Sequence, residues 1–123
     1  MRTARIIVIM NHKPTDEQVY QLRSMGYREI KFLQHPPIPP EWDMEDVEAF
    51  FRRWFGENAP FIPDALWVQG DYRFFASAIE FARALEIPLY VATTKREARE
   101  QKMPDGSVRK VSIFKHVRFV RIV

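Results

Sequence analysis

The chain contains no cysteine. That excludes disulfides and thiolate metal sites and makes a reducing cytosol the expected setting. Glycine is scarce, with four in 123 residues. No Gly-x-Gly-x-x-Gly follows the first apolar run, and no Gly-x-x-x-x-Gly-Lys-Ser/Thr occurs, which excludes the dinucleotide fingerprint and the P-loop. No apolar stretch approaches the roughly 20 residues of a membrane span. The opening Met1-Arg2-Thr3-Ala4-Arg5 leads into an apolar run too short for a signal peptide. The three His and the scattered acids lack metal-ligand spacing. Ser24, Ser77, Ser107 and Ser112 stand in no nucleophile-elbow motif.

What is present describes one globular domain over residues 1–123. Apolar residues make up 46% of the chain, and ten Phe with three Trp supply bulky core material. Net charge is +3, but it is unevenly placed. Residues 1–91 hold 10 Lys/Arg against 13 Asp/Glu, and residues 92–123 hold 9 against 3. A cationic last quarter on a mildly acidic body favours an anionic partner, nucleic acid included. It equally suits a solvated edge hairpin kept soluble by its charges.

Arg5–Met10 reads as a buried first strand. Asn11-His12-Lys13-Pro14 breaks it, and Thr15-Asp16-Glu17-Gln18 forms a capping box for a short helix with Val19, Leu22 and Met25 on its apolar face. Gly26 fits the end of that helix. Glu29–Leu33 alternates as a second strand. His35 then enters a stretch with four prolines in five positions, an extended connector in which the His is expected to be exposed. Met44, Val47, Phe50, Phe51, Trp54 and Phe55 recur at helical spacing, with Asp43 as cap and Gly56 as end. Ala65–Val68 is a third strand. Asp71 caps a helix with Phe74, Phe75, Ala78, Ile79, Ala82 and Leu85 inside. Pro88–Thr93 is a fourth strand.

Strands alternating with helices imply parallel pairing and a Rossmann-like layer fold of class α/β. The rest reads as a closing β-hairpin, with arms 96–102 and 108–123 around the turn Met103-Pro104-Asp105-Gly106-Ser107. The first arm is equally compatible with helix over 97–102.

In such a fold three strand ends converge, and ligands bind at the carboxyl ends. The first end offers Asn11, His12 and Lys13. The third offers Gln69, Gly70 and Asp71, with Tyr72 beyond. The fourth offers Thr93, Thr94, Lys95 and Arg96. Hydroxyls beside Lys and Arg suit a phosphate. Gly70 is expected to let a ligand approach the backbone, and the helix beginning there favours an anion. Lys115, His116 and Arg118 can add cations. Each has a plainer reading: Asp71 as a cap, the Thr pair as β-branched strand residues, His12 as a loop hydrogen-bonding group.

The chain resembles the small stand-alone ring nucleases of type III CRISPR systems, relatives of the Rossmann-like CARF domains. His12-Lys13-Pro14-Thr15, Val68-Gln69-Gly70-Asp71, Ala92-Thr93-Thr94-Lys95-Arg96 and Phe114-Lys115-His116-Val117-Arg118 carry the resemblance, which spans nearly the whole chain. It implies a cytoplasmic homodimer that binds cyclic oligoadenylate, with the four-membered ring favoured, and linearises it without a metal or other cofactor. The ribose 2′-hydroxyl would attack its own phosphate. In that scheme Lys95 and Arg96 stabilise the phosphorane charge, and His12 or His116 moves a proton. Thr93 and Thr94 orient phosphate oxygens, Gln69 and Asp71 meet ribose or adenine, and Tyr72 stacks on a base. A membrane or duplex DNA partner is not expected. Two alternatives remain: a binder that senses or sequesters the ring uncut, and a basic RNA-binding domain. That no effector domain follows residue 123 weighs against a sensor acting in cis.

Overall fold

A computed structural model describes residues 3–123; Met1 and Arg2, at the head of the expected leaderless start, lie outside the described residues. The elements run β1 (Ala4–Met10), α1 (Asp16–Ser24), β2 (Tyr27–Gln34), α2 (Met44–Asn58), β3 (Ala65–Val68), α3 (Tyr72–Leu85), β4 (Leu89–Lys102) and β5 (Val108–Arg121). The five strands form one sheet in the order β2-β1-β3-β4-β5. β1 to β4 pair in parallel and β5 is antiparallel. The protein is therefore α/β, with a mostly parallel sheet between helices. No helix among the described residues is long and apolar enough to cross a membrane.

Alternate side chains of the central strands enter opposite layers, as the two-residue period of a strand requires. Ile6, Val8 and Met10 of β1, with Ala65 and Trp67 of β3, meet Leu22 of α1 and Phe119 of β5. Ile7, Ile9, Leu66 and Val68 point the other way, into the aromatic layer of α2 and α3 built on Phe51, Phe55 and Phe74. Both faces of β1 and β3 are covered, which is why they are continuous apolar runs.

Local signals set the helix starts. Thr15 and Gln18 complete a reciprocal box at α1, and Asp43 forms one with Asp46 at α2. Gly26, at φ +103°, takes the left-handed turn that ends α1.

Three expectations are corrected. α2 does not stop at Gly56 but runs to Asn58, where the Ala59 N–H closes on the Phe55 carbonyl. The fourth strand and the first hairpin arm are one 14-residue strand, because no Pro or Gly interrupts residues 89–102. Of the two alternatives for 97–102, the strand of the expected hairpin is the one found. His35 is buried rather than exposed: its ring packs on Phe74 at 4.4 Å, in space left by the absent side chain of Gly70.

β4 pairs with β3 only through Leu89 and Tyr90. Beyond that point β4 and β5 continue as a two-stranded ribbon for about twelve residues, or about 40 Å at strand rise. A register shift between Thr93 and Thr94 leaves Val117 unpaired and bends the ribbon where it departs from the sheet.

Candidate functional site

The chain passes from β1 to β2 in one direction and from β2 back across β1 to β3 in the other. The reversal lies between β1 and β3, and in open parallel sheets a ligand crevice opens there, outside the carboxyl ends of the strands. A cavity of about 670 Å³ occupies this place. Met10 and Trp67 line it from the two strands, and Asn11, His12, Gln69 and Gly70 continue the lining from the strand ends. The first turn of α1 supplies Thr15, Glu17 and Gln18. The hairpin crosses the far side with Thr94, Glu97 and Arg99 from β4 and Ile113, Phe114, Lys115 and His116 from β5.

Seven of the expected residues thus come together: Asn11, His12, Gln69, Gly70, Thr94, Lys115 and His116. The other seven do not line the cavity. Lys13 is exposed in the turn after β1, and Tyr72 projects from the start of α3 with 90% of its surface free. Asp71 is consumed as the cap of α3: its Oδ1 accepts from the backbone N–H groups of Arg73 and Phe74, and its Oδ2 accepts from the Arg73 guanidinium at 2.8 Å. The guanidinium holds its carboxyl down at about 2. Thr93 Oγ1 donates to the Arg118 carbonyl across the ribbon, and Arg118 Nε donates to the Phe119 carbonyl. Arg96 donates through Nε and Nη2 to Ser112 Oγ. Lys95 stands directly opposite Lys115 on the ribbon, outside the cavity wall.

Gly70 plays a different part from the one expected. A Cβ there would lie 2.3 Å from His35 Cδ2, so the glycine makes room for the imidazole rather than for a ligand. His35 Nδ1 donates to the Pro36 carbonyl at 2.7 Å, and Nε2 accepts from the Asp71 N–H at 3.3 Å. The ring is held neutral in that tautomer, and burial pushes its pKa below the ordinary imidazole value. His35 therefore supports the floor of the cavity from beneath.

Gln69 joins two strands. Its Oε1 accepts from Trp67 Nε1 at 2.6 Å and from the Ala92 N–H at 2.9 Å, carrying the β3–β4 junction one step past the end of β3. His116 is fixed from two sides, by a hydrogen bond between Nε2 and Gln21 Oε1 of α1 and by ring contact with Phe119 at 5.1 Å. Its Nδ1 is buried with no hydrogen-bond partner among the described residues. The His116–Gln21 contact ties the hairpin to α1 across the cavity.

Sequence reasoning missed the first turn of α1 and the middle of the hairpin. From sequence Gln18 reads only as a capping-box residue, and its Oε1 does accept from the Thr15 N–H at 2.9 Å. Its place directly after the Asn11-His12 turn is the signal that brings α1 to the same crevice. Glu97 and Arg99, paired at 3.5 Å, had no signal, because they reach the cavity only through the bend of the ribbon. The assembled lining carries two imidazoles, Lys115 and Arg99 as cations, the carboxylates of Glu17 and Glu97, and neutral amides. Such a mixture can hold a phosphate and the hydroxyls or base edges beside it.

A protein-family model described as the Uncharacterized protein MJ1673 family matches residues 4–120, nearly the entire chain and every element of the fold. The chain belongs to this family. No curated protein and no solved structure matches it.

Proposed function

We propose that this member of the MJ1673 family is a ring nuclease: it binds cyclic oligoadenylate, with the tetra-adenylate ring favoured, and opens it, ending the type III CRISPR signal that the ring carries. The observation that supports this reading is the meeting of His12, His116, Lys115 and Arg99 around one crevice at the β1/β3 reversal. The sheet order, with a helix layer on each side, suits a Rossmann-like, CARF-related fold. A two-fold homodimer in the cytoplasm would present the same donors twice to a ring of repeating nucleotides.

The chemistry needs no protein nucleophile, metal or other cofactor. The 2′-oxygen attacks the adjacent phosphorus while the 5′-oxygen leaves, giving a 2′,3′-cyclic phosphate and a 5′-hydroxyl. One imidazole of the His12/His116 pair takes the 2′-hydroxyl proton, and the other returns a proton to the leaving oxygen. Lys115 and Arg99, which line the crevice where Lys95 and Arg96 do not, stabilise the charge on the phosphorane. Thr94, Asn11 and Gln69 position the phosphate and its neighbours.

Incubation with cyclic tri-, tetra- and hexa-adenylate in EDTA, with products separated by chromatography, tests this directly. The expected result is a linear product ending in a 2′,3′-cyclic phosphate. His12→Ala and His116→Ala are each expected to slow opening by about 100-fold or more. Lys115→Ala should slow it about tenfold and Arg96→Ala less than about twofold. A ring bound tightly but recovered intact would replace cleavage by sequestration. A ring neither bound nor cut would reject the reading.

A further inference from the structure

The hairpin has two faces, and their charges are arranged differently. Cross-strand register puts Lys95 opposite Lys115, Glu97 opposite Ile113, Arg99 opposite Val111 and Gln101 opposite Arg109 on one face. The other face pairs Arg96 with Phe114, Ala98 with Ser112 and Glu100 with Lys110. There, Arg96 is satisfied by Ser112, and Lys110 sits opposite a carboxylate. On the first face no carboxylate pairs with Lys95, Lys115 or Arg109 among the described residues. Like charges directly opposite each other on a two-stranded ribbon destabilise it. A bound anion removes that penalty.

We propose that this face, carrying the unpaired Lys95, Arg109 and Lys115 beside an Arg99 shared with Glu97, binds the phosphodiester backbone of a single-stranded nucleic acid and leads it to the cavity. The face and the cavity are continuous, because Arg99 and Lys115 belong to both. The ribbon runs on for about 40 Å past its last pairing with β3, first along the cavity and then beyond it, a length suited to an extended strand and far beyond the needs of one phosphate. A cavity of about 670 Å³ at its foot admits unpaired nucleotides and not a base-paired helix, which selects single strands over duplexes. The proposal stands whether or not the protein opens cyclic rings.

Fluorescence anisotropy with a short labelled oligoadenylate, as RNA and as DNA, measures it. Three unpaired cations at about 0.7 released counterions each give an expected slope of about −2 for log affinity against log salt. Arg109→Glu and Lys95→Glu are expected to weaken binding by about tenfold, equivalent to about 1.4 kcal/mol. Lys110→Glu makes the same charge change on the opposite face and should cost less than about threefold. Arg109 and Lys95 line no part of the cavity, so Arg109→Glu leaves ring opening unchanged, whereas His12→Ala slows ring opening and costs oligonucleotide affinity less than about threefold. Equal losses from Arg109→Glu and Lys110→Glu would reduce the effect to unspecific attraction and overturn the proposal. So would duplex binding as tight as single-strand binding. A change of oligomeric mass with unaltered anisotropy would make the face an interface between copies instead.

Discussion

In the three-layer body, Ile6–Met10 and the whole of β3 are buried, and α2 and α3 close over them with Phe51, Phe55 and Phe74. Past Thr93 the hairpin leaves almost every side chain in solvent, including Phe114 at 70% exposure. The body draws its stability from apolar area removed from water. The ribbon has little such area, and a two-stranded hairpin by itself is marginal. Its order comes from continuity with the sheet and from the tie between His116 and Gln21. One region is built to persist alone, and the other presents charge at a distance from the core.

The sharpest test of that contrast exchanges large side chains for small ones in both regions. Phe51→Ala opens a cavity among Phe55, Phe74 and Phe81 and should cost about 3–5 kcal/mol in urea unfolding. Phe114→Ala should stay within about 0.5 kcal/mol. A comparable loss at Phe114 would mean that the ribbon is covered in solution.

Gly70→Ala comes next. It drives a methyl into the His35 ring at the junction of body and cavity, with an expected loss of about 3 kcal/mol. An unchanged unfolding midpoint would show that His35 swings aside easily and does not support the floor.

The smallest effect is titration of His35. Its folded pKa lies below the unfolded imidazole value, so the unfolded chain takes up the proton first. The stability that His35 adds is complete above about pH 6.5 and declines as pH falls through that value. His35→Asn should flatten this part of the curve, and an identical pH profile in the variant would remove His35 as its source. The neighbouring Asp71, held at about 2 by Arg73, contributes stability that is lost only in stronger acid.

Much of the body was legible because its determinants are local or periodic. Thr15 and Gln18 announce α1, and the spacing of Phe51, Trp54 and Phe55 announces the inner face of α2. That the β1 and β3 ends share one crevice follows from alternating strands and helices, whereas the expected fourth strand end is the middle of β4, of which Thr94 alone among Thr93, Thr94, Lys95 and Arg96 lines the cavity. Less legible was anything set by contacts between distant segments. His35 looked exposed among prolines, because nothing near it in sequence reveals the space above Gly70. Lys95 and Arg96 looked like cavity residues, because the bulge opposite Val117 and the turning of the ribbon are tertiary features. Asp71 could be read as cap or ligand until Arg73 was seen to close on it.

Gln69 has a chemical consequence for whatever enters the crevice. Its carbonyl oxygen is already engaged twice, by an indole and by a main-chain amide, so only the NH2 of the carboxamide remains to greet a guest. An atom resting at that spot must bring a lone pair, as a phosphoryl oxygen or an unprotonated purine nitrogen does. An amino group placed there would meet hydrogen facing hydrogen, so this corner sorts ligands by polarity.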